Sequence, residues 1–210
     1  MSVATIPRVT YDTVRSLIRS GDLLLAQGTG PMSKIIQYAT GSEYSHVAFL
    51  LRLDALDRLM VLESVESIGI RATCLSGYVA DYNGTGRPYP GRLVIARHCR
   101  VDLQAPEVLQ QFSRTAVDLL GYPYDTQEIV EITARIVAAK LGMPPRPVRE
   151  NKTFICSEFA ALCLRSIGVH VPYNRANFIA PGDFAACPDI EILWEITTPD
   201  QDAVSTPGYL

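Results

Sequence analysis

The stretch Ser45-His46-Val47-Ala48-Phe49-Leu50-Leu51-Arg52-Leu53, followed by Leu59-Met60-Val61-Leu62-Glu63-Ser64-Val65, decides how this chain is read. A short turn around Asp54 to Asp57 separates the two apolar runs, and a gap of that length makes them an antiparallel hairpin. Val47, Phe49 and Leu51 occupy one face of the first strand, and His46, Ala48 and Leu50 the other. Both faces are apolar, so the strand is expected to be buried on both sides. A histidine at its mouth then needs a hydrogen-bond partner. If the chain turns between Leu53 and Leu56, His46 lies opposite Glu63. A slip of two residues keeps them diagonal neighbours on the same face. Glu63 sits among Val61, Leu62, Ser64 and Val65, where an unpaired carboxylate is costly. Glu66, at the strand end, reads as solvated. Taken alone, a core histidine satisfied by a backbone carbonyl is the more frequent arrangement.

The second informative stretch is Thr153-Phe154-Ile155-Cys156-Ser157-Glu158-Phe159. Cys156, Phe159, Ala160, Cys163, Leu164 and Ile167 recur at helical spacing and define one buried face. Cys156 heads that face. The free N–H groups of a first helical turn and the helix dipole favour a thiolate there and can supply an oxyanion donor. Cys163, two turns further in, lacks that setting and reads as a small core residue. Cys156 has the same bland reading, since buried cysteine is common. With His46 as base and Glu63 as the carboxylate that orients it, Cys156 instead becomes an activated nucleophile. No spacing in the sequence brings Cys156 to His46.

Working outward, residues 11–19 read as a short helix with Thr10 as N-cap and Gly21 past its end. Residues 22–26 read as a buried strand and 27–31 as a glycine-rich loop. Residues 32–38 read as one or two helical turns, with Ile35, Ile36 and Tyr38 turned inward. Further strands are expected over 68–73, 92–98 and 190–196, and a short helix over 75–81. Helices are expected over 106–120, opened by a proline and closed by Gly121, over 126–141, and from Cys156 to Ile167. Residues 143–148, Met-Pro-Pro-Arg-Pro-Val, cannot continue a helix and read as a linker. The order of elements lacks strict βαβ alternation, so the class is α+β. Residues 1–198 read as a single domain and 199–210 as a flexible C-terminal tail. Asp22 reads as a strand-edge residue.

Composition narrows the function. The 210 residues are 48% hydrophobic with a formal charge of −3, and the mean hydropathy is +0.12. No basic run or aromatic–basic interleaving points to nucleic acid. No apolar run approaches the roughly 18 residues of a membrane span. The opening MSVATIPRVTYD does not resemble a signal peptide, and five scattered cysteines do not suit a secreted disulfide framework. A reducing, cytoplasmic setting is the expectation. Cys74, His98, Cys99 and Cys187 are too dispersed for a zinc site, so no metal and no cofactor is expected. Gly28-Thr29-Gly30-Pro31-Met32-Ser33-Lys34 lacks the P-loop ending, and no Gly-x-Ser-x-Gly elbow is present.

Six segments together resemble the YiiX-like branch of the permuted NlpC/papain-type cysteine hydrolases. They are Gly21-Asp22-Leu23-Leu24-Leu25, Thr40-Gly41-Ser42-Glu43-Tyr44-Ser45-His46-Val47-Ala48, Leu62-Glu63-Ser64, Gly121-Tyr122-Pro123-Tyr124-Asp125, Ile155-Cys156-Ser157-Glu158-Phe159 and Ala180-Pro181-Gly182-Asp183-Phe184. They occur in the family's order and span nearly the whole chain. Ala48 departs from the glycine often found after His-Val. The 126–148 segment is less characteristic of the family and is a place where substrate choice could be set.

The resemblance implies a papain-like, circularly permuted fold, with a small antiparallel, partly barrel-like sheet packed on the cysteine helix. It implies a cysteine hydrolase with Cys156, His46 and Glu63 as the catalytic set, cleaving an amide in a peptide, cell-wall fragment or small molecule. Tyr124, Ser45 and Ser157 are candidates for substrate binding or the oxyanion hole. Tyr124 reads equally as a ring packed in a loop after Pro123. Two alternatives stay open: a lipid-ester hydrolase or acyltransferase like the lecithin–retinol acyltransferase relatives, and a module that binds a small ligand such as an amino acid without turnover.

Overall fold

The computed structural model describes residues 5–66, 68–99, 103, 105–124, 155–172, 174 and 178–198. The expected helix over 126–141, the proline-rich linker over 143–148 and the tail over 199–210 lie outside the described residues. The elements are β1 (Arg8–Thr10), α1 (Tyr11–Val14), β2 (Leu23–Gly28), α2 (Pro31–Thr40), β3 (His46–Leu53), β4 (Arg58–Val65) and β5 (Gly69–Cys74). They continue with α3 (Leu75–Ala80), β6 (Gly91–His98), α4 (Pro106–Asp118), α5 (Cys156–Ser166), α6 (Pro181–Ala186) and β7 (Ile190–Thr197). This is an α+β architecture.

Among the described residues, seven strands form one sheet in the order β1-β7-β6-β2-β3-β4-β5. Every neighbouring pair is antiparallel except β1–β7, which is parallel. The expectation of a purely antiparallel sheet is corrected by that pair. The cause is β1, three residues too short to show a pattern in the sequence. The ladder is linear, with β1 and β5 as its two ends.

Period-2 alternation splits the core into two layers. Leu23, Leu25, Val47, Phe49, Leu62 and Val94 face α4 and α5, where Phe49 meets Phe112 edge to face at 4.7 Å. Leu24, Ala26, Ala48, Leu50, Val61 and Ile95 face Val14, Ile18, Leu75 and Tyr78. Each large apolar side chain removed from water contributes about 1.5–3 kcal/mol. A one-residue slip would exchange the two layers, so both cores hold the register.

The β3–β4 turn is a short 3-10 segment, Asp54–Leu56, closed by Asp57 in the left-handed region (φ 46°). The β4–β5 turn needs Gly69. Its φ is 90°, and a Cβ there would sit 2.2 Å from the Tyr122 carbonyl oxygen. That carbonyl accepts the Ile70 N–H, and the Gly121 N–H donates to the Ile70 carbonyl. The end of α4 is thereby stitched to the outer edge of β5.

Two local expectations are corrected. α2 is a ten-residue helix, started by Pro31 and ended by Gly41 at φ 67°. Its inward stripe is Met32, Ile36 and Ala39, packed on Ile155, Phe178 and Ala180. Ile35 and Tyr38 point outward, at 44% and 77% exposure. With about 100° between successive residues, Ile35 and Tyr38 fall off the face that Met32, Ile36 and Ala39 share, whereas Ile36 lies inward as expected. Asp22 is a buried ion-pair residue rather than a strand-edge one. Its carboxylate takes both Nε and Nη2 of Arg97 and the Arg19 N–H, which satisfies a charge that burial would otherwise penalise.

Candidate active site

His46 opens β3 at a point held by its neighbour. The Ser45 N–H donates to the Ala26 carbonyl, and the Ser45 hydroxyl oxygen accepts the Gly28 N–H at 3.0 Å. These bonds fix the chain where β2 and β3 meet. The β3–β4 ladder runs from Leu53↔Arg58 to Phe49↔Leu62. Continued by one step, that register sets Glu63 opposite Ala48 and diagonal to His46. This is the two-residue slip weighed from the sequence. Beyond the last ladder pair, side chains join the strands: His46 Nε2 lies 2.7 Å from Glu63 Oε2.

Glu63 is fully buried and heavily partnered. Oε2 also accepts the Tyr78 hydroxyl of α3. Oε1 accepts Arg71 Nε at 2.9 Å. Arg71 is the residue directly across the β4–β5 ladder. Arg71 Nη2 is also 2.9 Å from Oε1, but its N–H bonds are not aimed at any acceptor. We read the Nη2 contact as charge–charge and Nε as the directional bond. Burial pushes the Glu63 carboxyl up, yet the His46 and Tyr78 bonds and the Arg71 charge outweigh it and hold the group below its ordinary range.

Cys156 is the first residue of α5, following Ile155 in extended conformation, and is 5% exposed. α5 packs on β3, β4 and α4. The Cys156 side chain lies close enough to the His46 imidazole to raise its proton affinity. By strand parity His46 belongs to the layer of Ala48 and Leu50, whereas Cys156 belongs to the opposite layer. They meet at the strand's end, beyond the β3–β4 ladder, where a side chain can turn toward either layer. Burial would lower the imidazole's proton affinity. Hydrogen bonds and charge from Cys156 and Glu63 overcome this and push it up to about 10.

The residues read as nucleophile, base and carboxylate are therefore contiguous. The three accessory candidates sit differently. Ser45 is committed to the Gly28 N–H. Ser157 is fully buried, and its hydroxyl has no hydrogen-bond partner among the described residues. Tyr124 packs against the Ile155–Phe178–Ala180 cluster. Arg71 and Tyr78 were missed from the sequence. The signal for Arg71 was a charge facing Glu63 across a tight turn; that for Tyr78 was its position three residues after Leu75 on one helical face. Tyr89 was missed as well. It is buried against Tyr78 and Tyr82, with its hydroxyl beside Gly28.

A groove of about 640 Å³ lies between the end of α2 and α6. Tyr44, Ser42, Phe178, Ala180 and Asp183 are among its lining, whereas Cys156 and His46 are not. Among the described residues, no group of three or more His, Cys, Asp or Glu converges as a metal site, and no helix is long and apolar enough to cross a membrane.

Fold and site together define an α+β protein with a YiiX-like fold and a buried Cys–His–Glu cluster. The crystal structure of metalloprotein YiiX from Escherichia coli O157:H7 superposes with a TM-score of 0.59 at 19% identity, covering 86% of this chain and 98% of that one. At that identity the likeness establishes the shared fold. No protein-family model and no curated protein matches the sequence.

The raised His46 value has a measurable consequence. Its ordinary value is 6.5 and its folded value about 10, so the folded state holds the proton more tightly. The stability it contributes is complete below about pH 6.5 and is lost as pH rises through about 10. Glu63 acts in the opposite sense: its contribution is present above the ordinary carboxylate range and lost as pH falls through its lowered value. Melting temperatures between pH 6 and 10 should fall for the wild type and stay flatter for His46→Gln. Parallel curves would contradict this assignment.

Proposed function

We propose that the chain is a cysteine hydrolase of the permuted papain-like type, acting on an amide through a thioester acyl-enzyme. The observation that carries this reading is the 2.7 Å bond between the His46 ring and the buried Glu63 carboxylate, with Cys156 beside the same imidazole. Because Nε2 is engaged with Glu63, Nδ1 is the ring nitrogen left for the sulfur. The anionic sulfur attacks the carbonyl carbon, and the C=O π electrons move onto oxygen. In this reading the first-turn N–H groups of α5 stabilise that oxyanion. As the C–N bond breaks, Nδ1–H passes its proton to the leaving amine. Water then loses a proton to Nδ1 and attacks the thioester carbon, releasing the acid and restoring the sulfur anion. Glu63 holds the ring and balances its positive charge throughout.

The YiiX structure is described as that of a metalloprotein. In this chain the cluster suits a metal poorly. Both Glu63 oxygens already accept from His46, Tyr78 and Arg71, and the guanidinium brings positive charge to the place a cation would take. No step proposed here runs through a metal.

Iodoacetamide alkylation of Cys156 against pH tests the reading in wild type, His46→Ala and Glu63→Gln. The wild type should react faster at pH 6 than His46→Ala. His46→Ala should shift to a profile tuned only by the helix terminus. Glu63→Gln should keep part of the reactivity, since an amide still accepts one hydrogen bond. Three superimposable profiles would end the assignment.

A further inference from the structure

We propose that Arg71 and Tyr78 are positioning residues for this centre, clamping Glu63 from two directions so that one oxygen alone is presented to His46. The inference rests on the catalytic reading above and extends it to residues that do not touch substrate.

A carboxylate on a flexible side chain can rotate about its last bond and offer a ring N–H either oxygen. Glu63 cannot do so without losing a partner. Arg71 Nε holds Oε1 from across the β4–β5 ladder. The Tyr78 hydroxyl holds Oε2 from α3, which packs on the layer that Glu63 faces. Tyr78 is itself almost fully buried, its ring lying 4.8 Å from Tyr82 and 5.4 Å from Tyr89, with those two 4.9 Å apart. The hydroxyl is thus aimed by an aromatic trio. A buried ion pair is a poor source of stability compared with apolar packing of similar volume. Three polar groups gathered on one fully buried carboxylate are better explained by what the carboxylate does.

The clamp also sets a protonation state. Described groups that face Glu63 are His46 from β3, Arg71 from β5, Tyr78 from α3, and Tyr82 and Tyr89 from the segment after it. Cys156 lies beyond the imidazole. Arg71 is the one permanent cation among them. It keeps Glu63 ionised when the imidazole proton moves, so the proton is exchanged with sulfur and substrate and not with the carboxylate.

The test is the alkylation profile of Cys156 in Arg71→Met, Arg71→Lys, Tyr78→Phe and Glu63→Gln, each checked for a cooperative melt. Removing a positive charge beside a carboxylate shifts its titration by about one unit or more. Glu63 is held below the ordinary carboxylate range, so in Arg71→Met the acid limb should move up toward that range, with the rate on the limb falling about tenfold. Arg71→Lys should recover most of that loss, and Tyr78→Phe should move the limb in the same direction by less. If Arg71→Met does not fold, Tyr78→Phe carries the test. A wild-type limb in Tyr78→Phe and Arg71→Met, with Glu63→Gln shifted, overturns the positioning role and leaves the catalytic reading intact. A wild-type limb in Glu63→Gln as well overturns the catalytic reading.

Discussion

A chain carrying Asp in place of Cys163 is expected not to fold. Cys163 is fully buried two turns into α5, among Phe159, Ala160, Leu164 and Phe184. Burial pushes its thiol up to about 12, so the site already rejects negative charge. An unpaired carboxylate there costs several kcal/mol or shifts its own titration by a comparable amount. Total stabilities of about 5–15 kcal/mol leave little margin for that. Far-UV circular dichroism and soluble yield measure the outcome. Cys163→Ala is the control and should retain the fold with a loss of about 1 kcal/mol. A native melt for Cys163→Asp would mean that this face of α5 is not core.

The second large effect is on chemistry. Cys156→Ala should abolish acyl transfer, by a factor on the order of 10⁶ if Cys156 is the nucleophile, as nucleophile removal does in other triad enzymes. The melting temperature should move by only about 2–4 °C, since one sulfur atom at the edge of the core is lost. The assay is turnover of a panel of peptide and amino-acid amides, with the acylated residue identified by mass spectrometry. A destabilisation as large as a core deletion, with no substrate turned over, would make Cys156 a structural cysteine.

The parts legible in the sequence are those set by local pattern. The β3–β4 hairpin and its His46–Glu63 pairing follow from a short turn and a two-residue period. The α5 face follows from apolar spacing. The proximity of Cys156 to His46 was not legible from spacing, because the two are 110 positions apart and hydrophobic periodicity says nothing about which helix terminus meets which strand end. Only the order of short motifs suggested it. β1 was missed because three residues cannot show a period. On α2 the inward Ile36 was legible, but Ile35 and Tyr38 were grouped with it and hid the stripe that Ile36 shares with Met32 and Ala39. Asp22 looked peripheral because its partner, Arg97, lies on β6, a strand that pattern alone does not place beside β2. The tyrosine cluster behind Glu63 spans α3 and the loop after it, and no single window contains it.

The stitching of Gly121 and Tyr122 onto β5 also bears on how copies of this chain meet. A sheet end with free N–H and C=O groups is a template for strand addition by a second molecule, and proteins commonly blunt such ends. Here the outer edge of β5 at Ile70 is engaged by the chain's own backbone through both its donor and its acceptor. An incoming strand would have to break that pair of bonds before it could add. At the other end of the sheet, β1 is only three residues long, and Arg8 ties it to Glu195 of β7. A strand that short offers little register for edge-to-edge aggregation. The sheet is thus guarded at one end by its own main chain and at the other by brevity and charge.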